Sequence, residues 1–223
     1  PVGFTLDWYS KALSDQEFLS GLMLSIALAL GATAISLGLG VPASFALARG
    51  SFPGQGLLRG LVLSPLIFPA LVTGLSLLQL FATWKSGDAR FNLLIGHAVV
   101  TSPYVVRTVS VSLAAMDKRL ESVAMSLGAG RWYTFRSVTL PLIKPGILAG
   151  GVFAAVTSFG EVSVSLFLTA PGTITVPVQV FNYVDQTFDP TVNAISVIFI
   201  AIAILLLMVI EKTIGLVKLN QTR

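Results

Sequence analysis

Residues 121–146 read ESVAMSLGAGRWYTFRSVTLPLIKPG and lie between long apolar segments. A membrane protein keeps such a polar run in water, where a soluble partner can take hold of it. The flanking sequence predicts how the run folds. Over residues 116–130, Leu120, Val123, Ala124 and Leu127 fall on one helical stripe. Asp117 is placed to accept a free backbone N–H at the start of that helix. Gly128, Ala129 and Gly130 end it, because glycine readily takes the left-handed conformation of a helix C-cap. A second short element is expected over residues 131–138, with Trp132, Tyr133 and Phe135 beside Arg131 and Arg136. Leu140-Pro141 should close it, and Lys144-Pro145-Gly146 leads back into apolar sequence. Two short helices set at an angle make a lever across one mouth of a bundle. The plainer alternative is an interfacial helix pair with its aromatic residues at headgroup depth.

The rest of the chain decides what the lever would move. Of 223 residues, 54% are hydrophobic and only 11% charged, with mean hydropathy +0.86. An ordinary soluble domain carries about 25% charged residues, so most of this surface must face lipid. Five segments reach the roughly 20 residues that cross a hydrocarbon core: 19–48, 57–83, 91–115, 145–168 and 192–210. The expected class is therefore all-α, a polytopic transmembrane bundle forming a single domain over residues 1–223, with 116–144 as its polar coupling segment. Gly31, Ala34, Gly38 and Gly40 would let neighbouring backbones approach the first span. Pro65 and Pro69 in the second span, and Pro103 in the third, predict kinks.

Charge orients the bundle. Arg49, Arg59, Arg107, Lys118, Arg119, Arg131, Arg136, Lys144, Lys212, Lys218 and Arg223 are eleven of the fourteen basic residues, all assigned to one side. The other side holds Lys11, Lys85 and Arg90 with Asp7, Asp15, Glu17, Asp88, Asp185 and Asp189. The positive-inside rule puts the coupling segment and the C-terminus in the cytoplasm and residues 1–18 outside. Nothing in residues 1–18 resembles a signal segment, so a preceding span absent from this chain is expected. The alternative is a natural N-out protein whose short head is carried across by its first helix. The net charge of +4 does not argue for nucleic acid, because the basic residues sit in links and tail.

Few residues could carry chemistry inside the membrane. Glu161 is the one charged residue deep in a predicted span, and such a group faces a cavity or the bundle interior. Ser158 and Ser165 flank it at helical spacing, so one polar stripe could line a translocation path. The alternative is a structural Glu, bonded to a neighbouring helix or placed where the span breaks. His97, with Thr101 and Ser102 nearby, is expected to make an interhelical hydrogen bond. Trp8, Tyr9 and Trp84 fall near span boundaries, as in an aromatic belt. Residues 182–189 are expected as an acidic external loop containing Tyr183 and Phe188.

The motif spacing then resembles a known family. Ser122-Val123-Ala124, Gly128 and Val138-Thr139-Leu140-Pro141 match the signature Glu-Ala-Ala, three residues, Gly, nine residues, Ile-x-Leu-Pro. That signature marks the inner-membrane permease subunits of type I binding-protein-dependent ATP-binding-cassette importers. Ser122 stands where the family has Glu, with Glu121 just before it. The resemblance implies that Glu121, Ser122, Val123, Ala124, Gly128, Ala129, Arg131, Leu140 and Pro141 couple the chain to an ATPase. It also implies two ATPase subunits that bind ATP-Mg, a second permease (heterodimeric, or a second copy), and an extracytoplasmic solute-binding protein. No cofactor is expected in this chain. Family members usually have six spans, the first preceding a segment like Gly3-Phe4-Thr5-Leu6-Asp7-Trp8-Tyr9. The second permease of spermidine/putrescine-type importers looks most similar, through Ser158-Phe159-Gly160-Glu161-Val162, Ala170-Pro171-Gly172 with Val176-Pro177, and Asp189-Pro190-Thr191-Val192-Asn193-Ala194. Permeases for aminoethylphosphonate or iron share parts of these patterns.

Three rival classes fit less well. A secondary transporter predicts inverted repeats with paired broken helices, and no such symmetry is visible. A membrane-embedded enzyme needs convergent nucleophiles, paired Asp or metal ligands; Cys is absent, and His97 with Glu161 alone does not supply them. A purely structural assembly subunit is the third class, and reconstitution with the ATPase separates it from a permease. No GxxxxGK[ST] phosphate loop occurs, so hydrolysis would fall to a partner.

Overall fold

The computed structural model describes residues 5–186 and 190–214. Gly3, Phe4, Phe188, Asp189, Lys218 and Arg223 lie outside them, and the side chains of Asp185 and Lys212 are likewise not described. The chain folds into eleven helices among these residues. A short α1 (Asp7–Ser14) precedes α2 (Gln16–Arg49), which begins where the Asp15 carboxylate accepts from Glu17 N and Phe18 N. At 34 residues, α2 is about 51 Å long, well beyond the ~30 Å hydrocarbon core. Both of its ends therefore reach polar surroundings.

The predicted second span is broken rather than kinked. α3 (Gln55–Leu63) runs into a 3₁₀ turn at Ser64–Leu66, and α4 (Ala70–Thr83) leaves at 109° to it. Pro69 is extended (φ −57°, ψ 133°), and proline also drives its predecessor Phe68 away from helix. Two prolines four residues apart thus end one helix and start another.

α5 (Ala89–Ala115) is capped by Asp88 and continues through Pro103. The carbonyl of Val99, which Pro103 cannot serve, accepts from the Ser102 hydroxyl at 3.3 Å. Arg107, counted from sequence with the basic side, lies inside α5. α6 (Arg119–Ser126) and α7 (Arg131–Thr134) follow, then a π-helical turn Phe135–Thr139 and α8 (Leu140–Phe159). The helix expected to stop at Leu140-Pro141 does not stop. Residues Arg131–Phe159 form one continuous rod. Leu140 N–H bonds back five residues to Phe135 O, and this wider turn carries the rod past Pro141, which has no N–H to give.

The predicted fourth span is likewise divided. α8 ends at Phe159, and α9 (Ser163–Leu168) begins after the break at Gly160–Val162. α10 (Val176–Gln186) takes in residues 182–186, so the first part of the expected external loop is helical; α11 (Thr191–Ile214) completes the bundle.

α2, α5 and α8 pack together as the centre. Val105, Val109, Leu113 and Ile143 form one apolar cluster there, joined by Leu37, Val41 and Phe45. α5 and α8 meet almost backbone to backbone: a Cβ on Gly146 would lie 2.8 Å from Thr108 O, and one on Gly150 2.9 Å from Val105 Cα. This is the small-xxx-small packing of membrane helices. On α2, Gly40 and Gly31 are approached closely by Val105 and Leu94, but nothing lies within 4 Å of Gly38 and Ala34 is exposed. Serines lock the same interface: Ser36 Oγ is 2.8 Å from Thr101 Oγ1, and Ser44 donates to Val106 O at 3.2 Å.

Candidate functional site

The coupling segment is built by local rules that the sequence shows. Asp117 Oδ1 accepts from Arg119 N at 2.9 Å as α6 begins. At its end, Gly128 is left-handed (φ +91°). Gly128 N–H bonds to Met125 O and Ala129 N–H to Ala124 O, the paired bonds of a Schellman cap. A residue with a Cβ would be strained there, which explains why the motif needs glycine at this point.

α6 buries none of its residues. Ser122 and Val123 face outward, as do Leu120 and Leu127, the last 84% exposed. The apolar stripe read from the sequence therefore points away from the bundle. Trp132 and Tyr133 continue the exposed surface, and Arg131 is exposed beside them. Ala124 and Ala129 are half-buried, Leu140 lies at the edge of exposure, and Pro141 is exposed in the first turn of α8.

Glu121 turns the other way. Arg49 Nη1, at the end of α2, lies 2.7 and 2.6 Å from its two carboxylate oxygens, and Thr139 in the π-turn donates its hydroxyl to the same group. Glu121, next to the position where the family has Glu, thus has its described partners on the bundle side. Burial pushes the Glu121 carboxyl up, but the hydrogen bonds from Arg49 and Thr139 and the charges of Arg49 and Lys118 outweigh it. The net displacement is below the ordinary carboxylate value. Arg49 lies over the Phe45 ring at 5.7 Å, Phe45 meets Phe135 edge to face, and Phe135 stacks on Trp132. A cleft of about 310 Å³ opens among Arg49, Glu121, Arg131 and Phe135. Sequence reasoning missed Arg49 as a member of this site; its position at the end of the longest apolar run, on the basic side, was the available signal.

The stripe expected along Ser158, Glu161 and Ser165 is not a single helical face. The helix breaks between them, and the two serines converge on His97 from opposite sides. His97 Nδ1 is 2.8 Å from Ser158 Oγ and Nε2 is 2.9 Å from Ser165 Oγ. All three side chains are buried. Both ring nitrogens thus have partners, as expected for an interhelical histidine. Glu161 sits in the break, half-buried, where its Oε1 accepts from Val164 N at 2.9 Å and so caps α9.

Comparison with known proteins places this geometry. Residues 38–214 match the family described as binding-protein-dependent transport system inner membrane component. The chain is 31% identical over 206 residues to the putrescine transport system permease protein PotI of Escherichia coli (strain K12), covering 89% of this chain and 73% of that protein. It is 31% identical over 217 residues to the putative 2-aminoethylphosphonate transport system permease protein PhnV of Salmonella typhimurium (strain LT2), covering 95% and 80%. Among solved structures, a bacterial ABC transporter involved in the import of the acidic polysaccharide alginate superposes with TM-score 0.72 at 22% identity, covering 95% of this chain and 80% of that one. The shared fold, the family match over most of the chain and the helices long and apolar enough to cross a bilayer lead to one conclusion: this chain belongs to the binding-protein-dependent transport system inner membrane components, as a multi-pass permease subunit.

Proposed function

We propose that the chain forms half of the membrane pathway of an ATP-driven importer for a polyamine or similar small organic cation. Two ATPase subunits, holding ATP-Mg at their own sites, press on the outward face of α6 around Ser122, Val123 and Leu127. A second, related permease completes the pathway, and an extracytoplasmic binding protein delivers the solute. The coupling segment and the C-terminus lie in the cytoplasm. This chain does no chemistry of its own; it converts the partner's closure into tilting of α2, α5 and α8. Ser158 and Ser165 act through His97 to hold α8 and α9 against α5, and Glu161 holds the break between them.

The observation that carries this reading is α6 itself. An eight-residue helix with no buried residue, fixed by a left-handed Gly128 and presenting exposed leucine and valine, is built to be covered by another protein. The polyamine assignment rests on the names of the similar permeases, PotI and the 29% identical spermidine/putrescine permease PotC of Escherichia coli (strain K12). A second reading, aminoethylphosphonate, has comparable support from PhnV.

The test is reconstitution of the four-component transporter in proteoliposomes. ATP hydrolysis and labelled putrescine uptake should both rise when putrescine-loaded binding protein is supplied outside. Stimulation by aminoethylphosphonate alone would replace the substrate. Absence of stimulation by either would refute both solute assignments.

A further inference from the structure

The coupling helix is held to the bundle in an unusual way. α6 buries no residue, so apolar packing does not anchor it. Among the described residues, its side-chain hydrogen bonds to other helices run through one carboxylate. Glu121 receives Arg49 Nη1 on both oxygens and the Thr139 hydroxyl on one of them. Those two donors belong to different rods. Arg49 is the last residue of α2, and Thr139 lies in the π-turn inside the continuous helix from Arg131 to Phe159.

The tie is shielded and exclusive. The Glu121 and Arg49 side chains are 15% and 25% exposed. Arg49 Nε and Nη2 are buried without another acceptor, and the guanidinium lies over Phe45. Glu121 is therefore the counter-charge that makes this position tolerable for the cation. The same helix end is held from its far side by α3. Gln55 Nε2 donates to Leu47 O and Gly50 O at 2.9 and 3.0 Å, and Arg59 Nη2 donates to Leu47 O at 2.9 Å. The end of α2 is thus a junction where α3, α6 and the α7–α8 rod meet through polar bonds.

We propose that Arg49, Glu121 and Thr139 are the joint that delivers a displacement of α6 to α2 and α8 together. Glu121 is then a positioning residue that faces inward, not a contact to the ATPase. This rests on the importer reading above and says where, within that mechanism, force passes. Without the joint, α6 could move while α2 stayed behind, because the remaining covalent links from α6 run to α5 through residues 116–118, with Met116 in the apolar cluster, and to the α8 rod through α7, and neither reaches α2 directly. With it, the start of α8 and the end of α2 move as one body.

The experiment uses the complete complex in proteoliposomes and reads putrescine taken up per ATP hydrolysed, alongside co-purification of the ATPase. Glu121→Gln and Arg49→Gln should each lower uptake per ATP about five-fold or more, the range of ordinary coupling energies, with the ATPase still co-purifying. The exchanged pair Glu121→Arg/Arg49→Glu should recover most of the ratio, which loss of a mere brace at either residue would not predict. Thr139→Val, which keeps side-chain size, should fall between and serves if the charged variants do not accumulate. Unchanged uptake per ATP in Glu121→Gln and Thr139→Val would overturn the joint. So would loss of ATPase co-purification in Glu121→Gln but not in Arg49→Gln, which would make Glu121 a direct contact. If the unsubstituted complex shows no binding-protein stimulation, the importer reading itself has failed and the joint falls with it.

Discussion

Glu121 shows how much a single residue's direction matters. Its sequence neighbourhood allows it to face either a partner or the bundle, and the structure pairs it with Arg49, 72 residues away in the chain. The pairing has a pH signature. A carboxyl held below its ordinary value in the folded protein contributes stability above that value and loses it as pH falls toward the displaced one. For Glu121 the loss begins as pH drops below the ordinary 4.5. Trp132 stacks on Phe135 beside the pair and can report it. In a Trp8→Phe/Trp84→Phe background, Trp132 emission should stay constant at pH values above 4.5 and shift below it. Glu121→Gln should remove that transition; a transition that survives the substitution would assign it to another carboxyl.

At the scale of elements, the α5–α8 contact is the part of the bundle least able to tolerate change. Gly146 and Gly150 stand one helical turn apart on the face of α8 that meets α5, and a Cβ on Gly150 would be 2.9 Å from Val105 Cα. A larger side chain there must push two backbones apart, whereas Gly38 on α2 has nothing within 4 Å. Gly150→Leu should destabilise the protein by about 1–3 kcal/mol or more, the ordinary cost of overpacking. Gly38→Leu should stay within about 0.5 kcal/mol. Thermal unfolding in detergent, read on the isolated subunit, compares them directly; equal losses would mean that α5 and α8 are not packed this closely. The glycines were visible in the sequence, but not which of them are crowded. A helical stripe of small residues has the same appearance whether it meets a neighbour or lipid. The broken second span was legible only in part. Pro65 and Pro69 announced a disturbance, yet the 109° angle depends on where α3 and α4 find neighbours.

For the whole molecule, several described charged and polar residues gather at the two ends of α2. Arg49, Arg59, Lys118, Arg119, Arg131 and Arg136 gather around α6 and α7. Asp15, Glu17 and Gln179 meet where α2 starts, with Gln179 Nε2 donating to Glu17 O at 2.8 Å. The excess of basic residues at the first end sets the orientation proposed above. Cysteine-free sequence makes it directly testable: Ser126→Cys should react with a membrane-impermeant maleimide only in inside-out vesicles, and Ser14→Cys only in right-side-out cells. The opposite pattern would invert the protein and remove the ATPase from the coupling helix.

By itself the sequence determined that this chain crosses a membrane several times, that its polar link is a capped helix followed by an aromatic segment, and that Gly128 must be the turning point. Those are properties of short segments: transfer of an apolar stretch into lipid, helical periodicity and the steric freedom of one glycine act within a few residues. Only the tertiary structure decided that Glu121 faces Arg49, that Ser158 and Ser165 meet on His97 across 61 and 68 residues, and that the apolar face of α6 is left open. Each depends on which helices lie side by side. Spacing along the chain does not specify that; close packing and pairing of buried polar groups across the bundle do.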